Sequence, residues 1–327
     1  MQKQIAIVGA GPVGSILAAN FATASCDALV VEVAPKRCQQ ILAGGLVIEG
    51  KQSLSVRPAA VLGSIAELQD RRPEAVFICT KTWMLRSILP QLAEVLRPET
   101  LVINFQNGIG AEDESAAVFP RQQVGRGIVN YAGGLSPETG TVTMHWFTPP
   151  IHLGALEASS QDRFEQIAAI LSGVGLTTQA VDADEIKKKA FYKAILNSAL
   201  NALCANVGIT MQQAMTYPQT RSLASLLIRE GLSVAAAVGY NYGEDAHEVC
   251  LRYLDEGGNH LPSMWADLQR GTLTEIESIN GKIAKIGSMF ENVSVDLNLF
   301  FTALIVTQEI KSGARRADDI PSYLLRE

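Results

Sequence analysis

Apolar residues follow two different rhythms along this chain. In the first third, short apolar runs alternate with longer stretches of helical period. The runs Ile5–Val8, Ala28–Val33, Ala75–Thr80 ("AVFICT") and Thr100–Phe105 ("TLVINF") predict buried strands. Between them, Val13–Thr23 and the amphipathic "MLRSILPQLAEVL" predict helices. Strand–helix alternation of this kind implies a parallel sheet with helices on both faces. After Gln106 the pattern loosens, with turn signals at Gly133-Gly134, Ser136-Pro137 and Pro149-Pro150. We read that stretch as further strands of the same sheet, then a helix over "DRFEQIAAILSGVG" and a last short strand in "TTQAVDAD". From about Asp184 only helical periods remain, over 185–206, 209–216, 219–240, 244–255, 262–270, 273–289 and 296–312. The expected fold is α/β followed by all-α: a sheet domain over 1–183 and a helical domain over 184–327.

Length and composition agree with two domains. The chain has 327 residues, more than one core of ordinary size holds, and is 47% apolar and 18% charged. Its formal net charge of −6 argues against a nucleic-acid binder, which needs basic surface. It leaves room for a small anion held by a local cation. Five cysteines stand at 26, 38, 79, 204 and 250, none in a CxxC pair, so we expect free thiols and neither a disulfide framework nor a metal site. The apolar N-terminal stretch lacks a basic leader and is interrupted by three glycines, and no other run is long and uncharged enough for a membrane span. A cytoplasmic protein with no membrane or nucleic-acid partner is expected, and the long helical half is compatible with a homodimer.

The segment "IAIVGAGPVG" changes the picture. It places Gly9, Gly11 and Gly14 as GxGxxG directly after a predicted strand and before a predicted helix. Such glycines permit a tight turn, close approach of a pyrophosphate and close helix–strand packing, the features of a Rossmann-type dinucleotide site. Pro12 and Val13 open the helix whose positive end faces the phosphates. Glu32 ends the second predicted strand, where an acid binds ribose hydroxyls and repels a 2′-phosphate. Lys36 and Arg37 follow, and could instead accept that phosphate or simply be solvated loop charges. Lys81, with Thr82 and Trp83, and Gln106-Asn107-Gly108 stand past the next two strands, on the ligand side of such a sheet; Asn107-Gly108 reads equally as a turn.

A second constellation lies in the helical half. In "FYKAILNSALNALCAN" (191–206), Lys193, Asn197 and Asn201 are four apart, each about 40° round from the last, on a helix otherwise apolar nearly all round. A buried stripe of an ammonium and two amides needs protein partners or a polar ligand. "PSMWADLQRGTLTEIESING" adds Ser263, Asp267 and Glu275, and a carboxylate near Lys193 would favour its charged form. A dinucleotide, a protonated lysine and carboxylate-binding groups together suit reduction of a 2-keto acid. His145 in "TMHWF" reads as structural, and Lys187-Lys188-Lys189 as a solvated helix face.

These motifs, in this order and spacing, resemble the ketopantoate reductase (2-dehydropantoate 2-reductase) family over nearly the whole chain. The resemblance rests on Gly9, Gly11 and Gly14, Lys81 in "TKTW", "QNG" at 106–108, "YKAILNSALN", "SM" at 263–264 and "TEI" at 274–276. It implies Lys193 as general acid with Glu275 orienting or charge-balancing it. Asn197 and Asn201 would bind the substrate, Ser263 its carboxylate, and Asn107 and Lys81 would lie along the cofactor, with Asn107 also contacting the substrate. NADP, as NADPH, is the implied cofactor and a small 2-keto acid the implied partner. The chain departs from the pattern at Val33, where the family carries a phosphate-gripping arginine, at Pro262 and at Met84; with Glu32 just before Val33, NAD is the alternative. A related 2-keto acid reductase, a β-hydroxyacid dehydrogenase and a non-catalytic NAD(P)-binding redox sensor are the competing expectations.

Overall fold

The computed structural model describes residues 3–24 and 26–325. Its strands are β1 (Gln4–Val8), β2 (Asp27–Val31), β3 (Leu46–Gly50), β4 (Leu54–Val56), β5 (Ala60–Leu62), β6 (Ala75–Ile78), β7 (Leu101–Asn104), β8 (Val124–Ile128), β9 (Tyr131–Leu135), β10 (Val142–Phe147), β11 (Ile151–Ala155) and β12 (Thr178–Ala180). Its α-helices are α1 (Pro12–Thr23), α2 (Pro35–Gly44), α3 (Leu85–Val95), α4 (Ala111–Ala116), α5 (Gln161–Gly173), α6 (Ala183–Val207), α7 (Met211–Thr216), α8 (Pro218–Ala237), α9 (Ala246–Asp255), α10 (Ser263–Gln269), α11 (Asn280–Gly287) and α12 (Asp296–Lys311).

The main sheet runs β12-β11-β8-β7-β6-β1-β2-β5. From β5 to β8 every pairing is parallel, with helical or long connections between strands. β11 breaks the pattern by pairing antiparallel to β8. The intervening hairpin β9–β10 brings the chain back to the end of β8 it left, so no crossover is made, and the return strand must run the other way. That hairpin is also not part of the main sheet, contrary to the sequence expectation. β9 and β10 pair with each other, and β10 pairs with β3, in a second sheet of order β4-β3-β10-β9.

The second sheet explains α1. This helix contacts β1 and β2 on one side and β3, β4, β9 and β10 on the other. Eight of its twelve residues, Gly14 to Phe21, are buried, which is why its sequence is apolar all round. On the main sheet, alternate residues serve two different cores. Ile5, Ile7, Val30, Phe77 and Ile103 pack with α1, α5 and the second sheet, and Ala6, Val8, Val31, Ile78 and Val102 pack with α3 and α4.

Contacts divide the chain into one unit of residues 1–106 and 110–187 and another of 107–109 and 188–327. The expected boundary at 183/184 cuts the chain once; the observed division also gives Asn107–Ile109 to the helical unit. In that unit α6 residues Ala194, Ile195, Ala199 and Leu203 share a core with Leu227 and Ile228 of α8, Ile283 of α11 and Ile305 of α12. Close approach of α8 to α6 is set at Gly231, where an added Cβ would lie 2.9 Å from the Ile195 side chain. No helix of the described residues is long and apolar enough to cross a membrane.

Phe77, fully buried on β6, packs tilted against Phe21 at 5.4 Å and edge-on to Phe105 at 5.7 Å between centroids. Phe77→Ala should destabilise the first unit by about 3–5 kcal/mol. Urea unfolding should show a lowered midpoint with an unchanged slope.

Candidate active site

The Gly-rich turn leaves β1 at Val8 and enters α1 at Pro12. Its three glycines are needed for three different reasons. Gly9 has φ +98°, and a Cβ there would also meet Thr80 Cγ2 at 2.8 Å. At Gly14 a Cβ would lie 2.0 Å from the Gly9 carbonyl oxygen, so the helix could not pack on the turn. A Cβ on Gly11 would meet no protein atom within 4 Å. No described residue requires glycine at position 11, and the open space there leaves room for a ligand to approach the backbone. Gly11 caps α1, which has no acidic residue in its first turn to compete with an anion.

Two charged side chains hold Ala10 in this turn, one at its N–H and one at its carbonyl. Glu32 lies just past β2; its Oε2 accepts the Ala10 N–H at 2.9 Å and its Oε1 accepts the Ala34 N–H at 2.9 Å. Arg37 donates from Nε to the Ala10 carbonyl at 3.1 Å, from Nη1 to Gly140 O at 2.7 Å and from Nη2 to Ser15 Oγ at 2.8 Å. This corrects the sequence reading, which gave Arg37 as a loop charge or a phosphate acceptor. Arg37 lies on α2 and is buried, with its guanidinium spent on the turn and on the loop after β9. Burial presses its pKa down while the Glu32 charge works in the opposite direction. Lys36, one residue earlier, is exposed.

The end of β6 meets the same turn, and side chains at the end of β7 reach the end of β6. Lys81 lies half-buried just past β6, before a 3₁₀ turn at Thr82–Met84. Gln106 Nε2 donates to Thr80 O at 3.0 Å, and Asn104 Nδ2 to Gln106 Oε1 at 3.2 Å. Thr80 Oγ1 and Asn104 Oδ1 are buried and have no hydrogen-bond partner among the described residues. Such oxygens need a ligand or water. Below them, Arg126 forms a buried ion pair with Glu112 at 3.0 Å and donates from Nη2 to Gln106 O at 2.9 Å. With the open Gly11 and the uncapped α1 N-terminus, these groups fit a dinucleotide.

In the helical unit, Lys193 and Asn197 are half-buried on α6 and Asn201 is 5% exposed. The asparagine amides make no hydrogen bond among the described residues, which leaves them for a polar ligand. Asn280, at the start of α11, hooks onto this stretch of helix by donating to Ser198 O at 3.1 Å. Two residues before Asn280, Ser278 O accepts the Ile109 N–H at 2.9 Å. Gly108, at φ +90°, has no room for a Cβ, which would fall 2.6 Å from Ser278 O. Glu275 is buried, and its carbonyl accepts the Ser278 N–H at 3.2 Å and the Ser278 hydroxyl at 3.0 Å. These bonds tie together the segments bearing Asn107, Glu275 and the α6 stripe. Ser263 opens α10 and is exposed; no bond among the described residues joins it to that group.

Other expectations shift. Glu275 was expected inside a helix over 273–289; it sits on an irregular turn ahead of the 3₁₀ turn Ile276–Ser278, and α11 begins only at Asn280. On the predicted solvated face, Lys188 is half-buried and its ammonium lies 5.5 Å from the centre of the Tyr242 ring. His145 is exposed on β10. Sequence reasoning missed the bracing roles of Arg37, Arg126 and Glu112. Single charges in a loop-like or polar stretch carry no periodic signal of burial.

Arg37→Met should weaken dinucleotide binding about tenfold by loosening the turn, and cost about 1–3 kcal/mol of stability through stranded buried acceptors. Titration of nicotinamide fluorescence and a thermal melt measure the two effects separately. Unchanged affinity would dismiss the bracing role.

The chain matches the family described as Ketopantoate reductase PanE/ApbA over residues 5–158 and its C-terminal counterpart over residues 185–309. It is 27% identical to 2-dehydropantoate 2-reductase of Archaeoglobus fulgidus across 95% of this chain and 99% of the relative. It is 26% identical to the enzyme of that name from Pyrococcus horikoshii across 96% of this chain and 100% of the relative. Among solved structures, D-mandelate dehydrogenase with NADH and anilino(oxo)acetate has a similar fold at TM-score 0.85, with 24% identity over 95% of this chain and 99% of that one. A PanE/ApbA family ketopantoate reductase from Ralstonia eutropha gives TM-score 0.83 at 23% identity over 95% and 99%. The chain belongs to the ketopantoate reductase PanE/ApbA family and is an oxidoreductase acting on a keto acid.

Proposed function

We propose that this protein reduces 2-dehydropantoate to pantoate, or a closely related 2-keto acid to its 2-hydroxy acid, with Lys193 as the proton donor. The observation that carries the reading is the stripe on α6: one ammonium and two unspent amides on a helix whose other faces are core. The bound dinucleotide supplies the hydride that adds to the ketone carbon. Lys193 stabilises the charge that develops on the carbonyl oxygen and gives it a proton, so the product leaves as a neutral alcohol bearing its carboxylate. Asn197 and Asn201 hold the substrate's oxygens, Ser263 its carboxylate, and Glu275 keeps the lysine charged and oriented. Residues 1–183 would carry the dinucleotide and 184–327 the keto acid.

For the cofactor, the geometry favours NADH over the NADPH that the resemblance implies. Glu32 stands just past β2, where an acid would bind ribose hydroxyls and repel a 2′-phosphate, and Arg37 is engaged with the turn. D-mandelate dehydrogenase, similar in fold, was solved with NADH. If the substrate preference follows that protein, a 2-keto acid with a bulky apolar group would turn over faster than 2-dehydropantoate.

Purified protein, NADH or NADPH and a panel of 2-keto acids test both points by loss of nicotinamide absorbance. Lys193→Ala should lower kcat by roughly 10²–10⁴-fold with little change in NADH affinity. A variant that kept more than a tenth of the rate would sink the proton-donor role, and tight cofactor binding with no turnover of any keto acid would favour a sensor. Glu32→Gln retains an acceptor for the Ala10 N–H but removes the charge. It should raise the NADPH-to-NADH ratio of kcat/KM about tenfold, equivalent to about 1.4 kcal/mol; an unchanged ratio would remove Glu32 from cofactor choice.

A further inference from the structure

We infer that Glu309 and Arg315, at the far end of the chain, are positioning residues that fix Glu275. The inference rests on the role proposed above for Glu275. Glu309 lies in the last turns of α12 and is fully buried. Its Oε1 accepts both the Thr274 N–H at 2.8 Å and the Thr274 hydroxyl at 2.7 Å. Its Oε2 accepts Arg315 Nε at 2.7 Å. Arg315 in turn donates from Nη2 to Glu277 Oε1 at 2.7 Å and from Nη1 to Asp319 O at 3.1 Å.

The consequence is a bracket around one residue. Thr274, immediately before Glu275, is held directly by Glu309. Glu277, two residues after it, is held through Arg315. Inside the bracket, the Thr274 hydroxyl oxygen accepts the Ile276 N–H at 3.1 Å, and Glu275 O takes both donors of Ser278. Glu275 therefore sits at the foot of the short 3₁₀ turn that its carbonyl starts, with both flanks anchored to one buried ion pair.

Stability alone does not account for this pair. Removing two charges from water is expensive, and apolar residues of similar volume often stabilise a core as well or better. What an ion pair does that apolar packing cannot is fix direction, because each oxygen of Glu309 points at a defined donor. A carboxylate that must keep a catalytic ammonium charged needs that precision, since small misplacements of reacting groups lower rates steeply.

Thr274 gives the test with least disturbance to the core. Thr274→Val keeps the shape but removes the hydroxyl that donates to Glu309; Thr274→Ser restores it. With 2-dehydropantoate and NADH, Thr274→Val should lower kcat about tenfold, leave the KM for NADH within twofold, and retain a cooperative thermal melt. Thr274→Ser should return kcat to within about twofold of the parent. Arg315→Lys, which keeps charge but loses the fork, should also lower kcat without raising the KM for NADH, and serves if Thr274→Val fails to fold. Folded variants with parental kcat, or a Thr274→Ser as slow as Thr274→Val, would overturn the inference. If the parent is active and Lys193→Ala is not, that failure belongs to the bracket alone. If Lys193→Ala is as active as the parent, the proposed function itself has failed and the bracket falls with it.

Discussion

A charged group inside a protein persists only where hydrogen bonds replace the water it has lost, and both units of this chain are organised around that constraint. In the first, Arg37 is taken inside and spends three donors on the Ala10 carbonyl, Gly140 and Ser15. Because the guanidinium is planar and its donors fixed, the turn between β1 and α1 cannot relax independently of α2 and the second sheet. The second sheet is therefore part of the support for the dinucleotide turn. Its hairpin brings Gly140 to Arg37, and its Tyr131 donates to Val13 O at 2.9 Å, in the first turn of α1.

Arg126 and Glu112 repeat the device one layer away. Their pair pins the Gln106 carbonyl, while the Gln106 side chain bridges the ends of β6 and β7. Residue 106 is also where the contacts of the chain change hands, since 107–109 cluster with the helical unit. In the helical unit the anchors are Ser278, which receives Ile109, and Asn280, which grips α6 beside Asn197.

Legibility from sequence followed the range of the interactions. The β1–turn–α1 motif was readable because the strand, the three glycines and the helix are consecutive. The polar stripe of α6 was readable because a helix repeats every 3.6 residues, so spacing alone puts Lys193, Asn197 and Asn201 on one line. β3, β4 and β5 escaped because Gly44, Gly45, Gly50 and Pro58 break their stretch into pieces that read as turns. The second sheet left one trace that went unread: α1 is apolar on every side, which a helix covering a single sheet would not be. The burial of Arg37 left none, since its acceptors are backbone carbonyls up to 103 residues away.

Glu309 falls between these cases, and shows where a sequence reading could go further. The buried residues of α12 are Asn298, Phe301, Thr302, Ile305, Val306 and Glu309, an unbroken i, i+3, i+4 stripe that ends in an acid. An ionisable residue on the buried line of a helix has to find a cation and donors, and the nearest cation downstream that burial could claim is Arg315. The partner that matters for chemistry, Thr274, lies 35 residues upstream and has no periodic relation to it. Local pattern thus announces that a buried charge needs satisfying, while only the packing of α12 against the turn after α10 reveals what it holds. The same logic joins the ends of the helical unit: a buried charge is tolerated because it fixes direction, and what it fixes is the flank of the turn carrying Glu275.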